Sequence, residues 1–234
     1  MREIFESVDW QKGVSDMHAK GYSLVPDLLS NKICEELIER YADKELYRKT
    51  VTMERHRFGL GEYKYFDHPL PEIVRSIREA VYPNLVPIAN IWAEQLNMDS
   101  RFPDSFDGLQ KLCAESGQTK PTPLILKYGA GGFNTMHQDL YGEIYFPMQL
   151  AFFLNEPDAD YTGGEFVMTE HVPRAQSKAI VMTPKKGDMM IFTTNFRPVK
   201  GTRGYYRAAM RHGISEVKSG TRHTLGVIFH DAVS

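Results

Sequence analysis

Short apolar runs separated by turn-forming residues fill the second half of the chain, and they restrict its fold more than any other feature. From about residue 121 onward, apolar and β-branched residues alternate with Gly, Pro, Asn and Asp, as in TPLILKYGAGG, PMQLAFFLNEPD, GGEFVMTE, KAIVMTPKKGD and RHTLGVIFHD. Runs of strand length at this spacing are typical of antiparallel sandwiches and barrels. We therefore predict a β-sheet core over residues 121–234.

The first half of the chain has a helical pattern instead. The segment 30–44 begins with Ser30, a residue type that caps helix N-termini, and its apolar residues fall on one helical face. Segments 71–83 and 84–97 repeat that pattern, and Pro83 is predicted to separate them because proline lacks the N–H that a helix needs. We therefore expect helices that support the sheet.

Two strands around a glycine-rich turn are also predicted in the first half, within RKTVTMERHRFGLGEYKYF at residues 48–66. The chain contains no internal repeat and no linker-like segment. We therefore expect one α+β domain over residues 1–234. Residues 1–120 would be mainly helical support with the two strands, and residues 121–234 would form the core.

The composition excludes several classes of protein. Hydrophobic residues make up 42% of the 234 residues, which is enough to build a core and argues against disorder. No apolar run approaches the roughly 20 residues that a membrane-spanning helix needs. The two cysteines, Cys34 and Cys113, do not have the spacing of a zinc site. We therefore expect a cytoplasmic protein without a membrane partner, and the oligomeric state stays open.

A histidine and an aspartate stand two residues apart in NTMHQDLYGE, at His137 and Asp139. On a strand, both side chains would lie on one face, because side chains alternate along a strand. Two histidines and one carboxylate form the facial triad that holds Fe(II) and leaves coordination positions open. The pair alone does not define a metal site, because both residue types are common in loops. A third ligand is required.

His212 is the best candidate for the third ligand because of the residues that follow it. Arg222 comes ten residues later and opens an apolar strand, and Thr224 is expected on the same face of that strand. A guanidinium beside a hydroxyl can hold a carboxylate, because the planar guanidinium binds both oxygens at once. His171 is the main alternative ligand, but no such pair follows it. His223 is expected to face the opposite way.

The HQD stretch, His212 and the RHT stretch that follows ten residues later together resemble the iron(II)/2-oxoglutarate-dependent dioxygenase superfamily over about residues 121–231. LILKYGAGGF and TGGEF resemble its prolyl-hydroxylase-like members. The longer phrases GQTKPTPLILKYG, HQDLYGE and GGEFVMTE resemble a bacterial branch that is labelled as an oxygenase acting on damaged DNA. The resemblance implies a double-stranded β-helix (a jelly-roll, cupin-like core) with the metal at its open mouth.

The same resemblance implies cofactors, a reaction and residue roles for a single catalytic domain. The cofactors would be Fe(II), 2-oxoglutarate and O2, and a substrate would be hydroxylated or oxidatively demethylated with release of succinate and CO2. The catalytic iron ligands would be His137, Asp139 and His212. Arg222 and Thr224 would hold the distal carboxylate of 2-oxoglutarate, and Tyr128 would support the same cosubstrate. Lys127 competes with Tyr128, because only one of two successive strand residues can face inward.

The charge distribution bears on the substrate. Residues 174–222 contain 11 basic and two acidic residues, although the whole chain has a net charge of −2. Basic and aromatic residues alternate in FRPVKGTRGYYRAAMRHG, which fits contacts with a nucleic-acid backbone and stacking of bases. We expect Arg203, Arg207 and Tyr205 to contact a substrate that is single-stranded or damaged nucleic acid. Hydroxylation of a protein, a peptide or a small molecule stays open, as does a jelly-roll binding module without catalysis.

Overall fold

The computed structural model of the chain describes residues 2–234. Its helices are α1 (Arg2–Glu6), α2 (Trp10–Lys20), α3 (Asn31–Glu39), α4 (Glu72–Gln95) and α5 (Phe106–Glu115). Its strands are β1 (Tyr22–Val25), β2 (Tyr47–Thr52), β3 (Gly59–Leu60), β4 (Glu62–Phe66), β5 (Leu124–Tyr128), β6 (Phe133–His137), β7 (Met148–Phe153), β8 (Tyr161–Gly163), β9 (Phe166–His171), β10 (Lys178–Met182), β11 (Met189–Thr193), β12 (Phe196–Gly201), β13 (Gly204–Ile214), β14 (Val217–Gly220) and β15 (Arg222–Ile228).

Two antiparallel sheets face each other at the centre of the molecule. The larger sheet has the strand order β1-β11-β7-β15-β5-β4-β2, and the smaller has the order β10-β9-β13-β6-β3, with β12 paired to β13. Strands β14 and β8 form a separate ribbon. Buried side chains of the two sheets pack together, among them Phe153 and Phe192 from the larger sheet and Phe166 and Met210 from the smaller. This architecture matches the predicted α+β class with an antiparallel sandwich core.

Side-chain alternation along β15 separates the two sides of the larger sheet. Leu225 and Val227 join a core that also contains Val81 and other buried residues of α4. Arg222 and Thr224 point the other way, into the space between the sheets. The helices therefore cover the outer face of the larger sheet and leave its inner face for a site.

The first half of the chain also adds strands to the larger sheet. β1 pairs with β11, and β4 lies between β2 and β5. The two strands predicted within residues 48–66 are therefore present, and they extend the sheet beside β5. Ser30 caps α3 as predicted, because its hydroxyl oxygen accepts a hydrogen bond from the Ile33 N–H at 3.4 Å.

Proline does not end a helix at Pro83, so this prediction was wrong. α4 continues through Pro83 and Pro87 as one helix of 24 residues, and the two predicted helices are one. Apolar side chains on both sides of the prolines are buried, including Val81, Leu85 and Ile88. Their packing outweighs the cost of about 3 kcal/mol that a proline adds inside a helix. Within residues 2–234, no helix is both long and apolar enough to cross a membrane.

A buried ion pair joins α4 to the segment after β15. Arg78 is 1% exposed, and its Nη2 donates hydrogen bonds to Asp231 Oδ1 at 2.8 Å and to the carbonyl oxygen of Phe229. Burial lowers the pKa of Arg78, and the neighbouring carboxylate of Asp231 opposes that shift. The pair holds the end of the central strand β15 against the helical layer.

Replacement of Asp231 by alanine is expected to destabilise the fold strongly. Asp231→Ala leaves the Arg78 guanidinium buried without its carboxylate, so the free energy of unfolding should fall by about 3–5 kcal/mol. Urea unfolding would measure this change. Arg75→Ala is the matched control, because it removes an exposed ion pair with Glu79 at 3.0 Å and should cost about 0.5 kcal/mol or less. Equal losses in the two variants would contradict the assigned role of the buried pair.

Candidate active site

Three potential metal ligands meet between the two sheets. The ligand atoms of His137, Asp139 and His212 all lie within 4.8 Å of one another. His137 Nε2 is 3.5 Å from Asp139 Oδ1, and His212 Nε2 is 3.3 Å from Asp139 Oδ2. Two imidazole nitrogens and one carboxylate are a donor set that suits Fe(II) and related divalent ions, so the residues present fit the implied metal.

The pairing of β6 with β13 brings the two histidines together. His137 and His212 are direct cross-strand partners, and their ring centroids are 4.2 Å apart. Asp139, in contrast, lies beyond the end of β6 at His137. Gln138, between the two residues, points away from them and donates hydrogen bonds to Asn195 and Met210. His137 and Asp139 therefore reach the same point from opposite sides of Gln138 in the sequence, with His137 Nε2 3.5 Å from Asp139 Oδ1.

Two residues that the sequence analysis did not identify hold the carboxylate of Asp139. Gln149, on β7, donates from Nε2 to Asp139 Oδ2 at 2.9 Å, and the hydroxyl of Tyr141 donates to Oδ1 at 3.1 Å. Gln149 is 3% exposed. A polar residue inside the apolar run PMQLAFF was the available signal for it, because buried polar groups need a partner. Tyr141 follows Asp139 by two residues in NTMHQDLYGE.

Hydrogen bonds and charge prepare the cluster for a cation. The Nδ1 of His137 lies 2.8 Å from the carbonyl oxygen of Thr135, so when the protonated ring loses a proton, Nδ1 keeps its own and Nε2 gains a free lone pair for a metal. Burial opposes ionisation of Asp139, but the charges and hydrogen bonds of His137 and His212 outweigh burial and hold its pKa well below its usual value. Burial lowers the pKa of His212, and the charge of His137 lowers it further.

Arg222 is a buried cation without an anion in the described part of the chain. It is 1% exposed, and its Nη1 donates to Thr224 Oγ1 at 2.7 Å. Its Nε and Nη2 have no hydrogen-bond partner among residues 2–234. A buried guanidinium is costly unless an anion pairs with it. His223 faces the opposite side as predicted, where its ring packs 5.5 Å from the ring of Tyr41.

Tyr128, and not Lys127, faces the cavity. Tyr128 is fully buried, is the cross-strand partner of Arg222, and has its ring centroid 5.8 Å from the Arg222 guanidinium. Its hydroxyl accepts a hydrogen bond from Asn134 Nδ2 at 3.3 Å. Lys127 is exposed on the other face, with its Nζ 5.6 Å from the ring centroid of Tyr41. The orientation of the strand therefore separates the two alternatives.

One cavity of about 260 Å³ contains the whole constellation. The three potential ligands, Arg222 and Thr224 all line it. Much of the remaining wall is aromatic, and it includes Phe58, Tyr63, Tyr65, Tyr128, Tyr141 and Phe166. At the mouth, Phe58 and Leu140 are each 45% exposed. The cavity thus combines a polar floor with apolar and aromatic walls, which is the usual character of a small-molecule site.

The residues predicted to contact the substrate lie elsewhere. Arg203, Arg207 and Tyr205 belong to the β12–β13 hairpin, and none of them lines the cavity. Tyr205 and Arg207 alternate out of phase with His212 along β13, so they point to the opposite face of the strand. The Arg207 guanidinium packs 4.8 Å from the ring centroid of Phe196 there. The alternative ligand His171 is exposed at the end of β9 and is outside the cluster.

Comparisons with known proteins place the chain in a family. The family Oxygenase-NA, described as "Oxygenase, catalysing oxidative methylation of damaged DNA", matches residues 61–232. A protein of Mycobacterium tuberculosis (strain ATCC 25618 / H37Rv), named "Uncharacterized protein Rv2227", is 37% identical over 227 residues, which are 97% of this chain and 92% of that protein. The first of these matches covers more than half of the chain, and the second covers nearly all of it.

Solved structures share the fold at low sequence identity. A prolyl-4-hydroxylase of Pseudomonas putida matches with a TM-score of 0.56 and 14% identity over 95% of this chain and 100% of its own. An oxidoreductase of the 2OG-Fe(II) oxygenase family from Burkholderia pseudomallei matches with a TM-score of 0.53 and 13% identity over 97% and 95%. These likenesses confirm the predicted jelly-roll core. The chain therefore belongs to the Oxygenase-NA family and is an oxygenase with the fold of the 2-oxoglutarate–Fe(II) enzymes.

Proposed function

We propose that this protein is an Fe(II)- and 2-oxoglutarate-dependent dioxygenase that hydroxylates or oxidatively demethylates alkylated nucleic acid. The observation that carries the proposal is that the group His137, Asp139 and His212 shares one cavity with a buried Arg222 that lacks an anion. The description of the family, which names damaged DNA, supports the substrate class.

The metal would be held by the two imidazole Nε2 atoms and the carboxylate of Asp139. When bound, the iron supplies oxidation of the substrate with 2-oxoglutarate and O2, and the by-products are succinate and CO2. Gln149 and Tyr141 orient the Asp139 carboxylate through one hydrogen bond to each oxygen. Thr135 sets the tautomer of His137 through its carbonyl oxygen. Such outer partners fix the direction and basicity of metal ligands.

Arg222 would bind the distal carboxylate of 2-oxoglutarate. Its Nη1 already donates a hydrogen bond to Thr224 Oγ1, whereas Nε and Nη2 have no partner in the described chain. These two nitrogens form one edge of the guanidinium. A carboxylate can pair with such an edge through two parallel hydrogen bonds. The rings of Phe153 and Tyr161 lie 5.4 Å and 5.8 Å from the guanidinium and keep water from the pair. A salt bridge with this geometry would offset the cost of burying Arg222.

The function is tested by succinate formation from 2-oxoglutarate with Fe(II), in the presence of N-methylated single-stranded DNA, unmodified DNA or no substrate. Stimulation by methylated DNA alone, with release of formaldehyde, is the result that the proposal predicts. If succinate forms at the same rate with and without DNA, the protein is still an oxygenase, and its substrate must be sought among proteins, peptides and small molecules. Absence of turnover in all three conditions would favour a binding module without catalysis.

Asp139→Ala is expected to abolish succinate formation and to weaken Mn(II) binding at least about 100-fold, because one of three protein ligands is lost. Titration calorimetry with Mn(II) measures the second effect without turnover. Asp99→Ala, at an exposed carboxylate outside the cavity, is the matched control and should behave as wild type. Wild-type metal affinity in the Asp139 variant would remove this residue from the ligand set.

Arg222→Ala is expected to weaken 2-oxoglutarate binding about 10- to 100-fold, because hydrogen bonds to a charged group contribute about 1.5–3 kcal/mol. Calorimetric titration of the Mn(II)-loaded protein with 2-oxoglutarate measures this change. Arg222→Lys keeps the charge but loses the two-nitrogen edge, so it should recover only part of the affinity. Unchanged 2-oxoglutarate affinity in the alanine variant would exclude Arg222 from this role.

Gln149→Leu is expected to lower Mn(II) affinity about 10- to 100-fold, because Asp139 loses the donor that orients its Oδ2. Leucine has a similar volume, so the fold should persist, and circular dichroism checks this. Calorimetric titration with Mn(II) measures the affinity. If the metal affinity does not change, Gln149 fills space beside the site without orienting the carboxylate.

A further inference from the structure

A second basic segment leads directly into Phe58, which lines the mouth of the cavity. Residues 48–58, RKTVTMERHRF, contain four basic residues and one acidic residue. They form the edge strand β2, the 3-10 turn Met53–His56 and the residues that lead into β3. We call the exposed cations of this segment, Lys49, Arg55 and Arg57, the basic rim.

The turn is attached to the strand that carries His137. The carbonyl oxygen of Phe58 accepts hydrogen bonds from the backbone N–H and from the hydroxyl of Thr135, both at 2.9 Å. Gly59 then pairs with Asn134. Thr135 precedes His137 by two residues on β6, so the turn has a fixed position relative to the potential metal ligands. Phe58 lines the cavity and is 45% exposed at its mouth.

Three aromatic side chains, Phe58, Tyr63 and Tyr65, line the cavity wall beside the basic rim, and we call them the aromatic row. The rings of Tyr63 and Tyr65 are 5.4 Å apart, and the Tyr65 hydroxyl donates to the hydroxyl of Tyr141 at 3.1 Å. Tyr141 in turn donates to Asp139. The row therefore runs from the mouth to the carboxylate of the metal cluster.

The cations of the basic rim belong to the segment that leads to Phe58, and they are free to bind an external anion. Lys49 is the cross-strand partner of Tyr65. Arg55 and Arg57 form no ion pair within the described residues, and the one acidic side chain of the segment, Glu54, instead accepts a hydrogen bond from the Gly61 N–H at 3.4 Å. Cations that alternate with aromatic faces fit a chain of phosphates and bases.

The ring of Phe58 is supported for stacking. His56 stacks on it with ring centroids 5.3 Å apart and planes tilted by 21°. On the hairpin, by contrast, Arg197 is paired with Glu170 at 2.9 Å, and Arg207 packs on Phe196 away from the cavity. Neither Arg197 nor Arg207 lines the cavity, whereas Phe58 does.

We propose that the basic rim and the aromatic row bind single-stranded nucleic acid and direct one of its bases into the cavity. This inference rests on the proposed nucleic-acid substrate. Lys49, Arg55 and Arg57 bind phosphates, and Phe58 stacks on the base at the mouth. A target base enters past Tyr63 and Tyr65, so the base must leave any stacked helix before it reaches the metal cluster.

The experiment is fluorescence anisotropy of a labelled single-stranded DNA about 12 nucleotides long, within the range that single-strand sites cover. Three variants are compared with wild type: the rim pair Arg55→Ala with Arg57→Ala, the single variant Phe58→Ala, and the hairpin pair Arg203→Ala with Arg207→Ala. The hairpin pair removes the same charge and is the matched control. Thermal unfolding of each variant checks that the fold is retained.

The rim pair should weaken binding about tenfold or more and reduce the slope of log affinity against log salt by about 1.4, since each lost phosphate contact on a single strand accounts for about 0.7. Phe58→Ala should weaken binding about five- to hundredfold with little change in that slope. The hairpin pair should change both quantities much less. A larger loss in the hairpin pair than in the rim pair would overturn this inference and leave the substrate class standing. If the wild type neither binds the DNA nor shows DNA-stimulated turnover, both this inference and the proposed nucleic-acid substrate are overturned.

Discussion

The antiparallel pairing of β6 with β13 is the constraint on which the site depends. It sets His137 directly opposite His212, so that two imidazole rings from distant parts of the chain have their centroids 4.2 Å apart. A shift of one residue in this register would turn one of the rings to the other face of the sheet. The sandwich core on the inner faces, with Phe166 and Met210, fixes the register. Fold and metal cluster are therefore specified by the same packing.

The inner face of the larger sheet holds a buried positive charge beside the metal cluster. Arg222 is held by β15 among aromatic rings with two of its nitrogens unpaired within the described chain. This arrangement costs stability in the free protein, and binding of a carboxylate would recover it. The buried pair of Arg78 and Asp231 lies on the opposite side of the same sheet and holds the end of β15. Strand β15 thus holds the Arg222 guanidinium between two well-packed layers.

The sequence predicted the fold class, the grouping of the potential ligands and the placement of Arg222 and Thr224 on one face of a strand, because each rests on local periodicity or on a distinctive motif. It did not predict the continuous α4, because burial on both sides of Pro83 is a tertiary property. It also missed Gln149 and the position of Phe58, since strand pairing and not sequence distance brings them to the cavity. The roles of the ligands and of the basic residues remain predictions, and Arg203, Tyr205 and Arg207, which were predicted to contact the substrate, lie outside the cavity.

The most direct test of the central claim is a crystal structure of the protein grown with Mn(II) and 2-oxoglutarate under anaerobic conditions. The account predicts one metal ion bonded to His137, Asp139 and His212, with the distal carboxylate of 2-oxoglutarate about 2.7–2.9 Å from Nε and Nη2 of Arg222. A metal bound elsewhere, or a cosubstrate that leaves Arg222 without an anion, would contradict it.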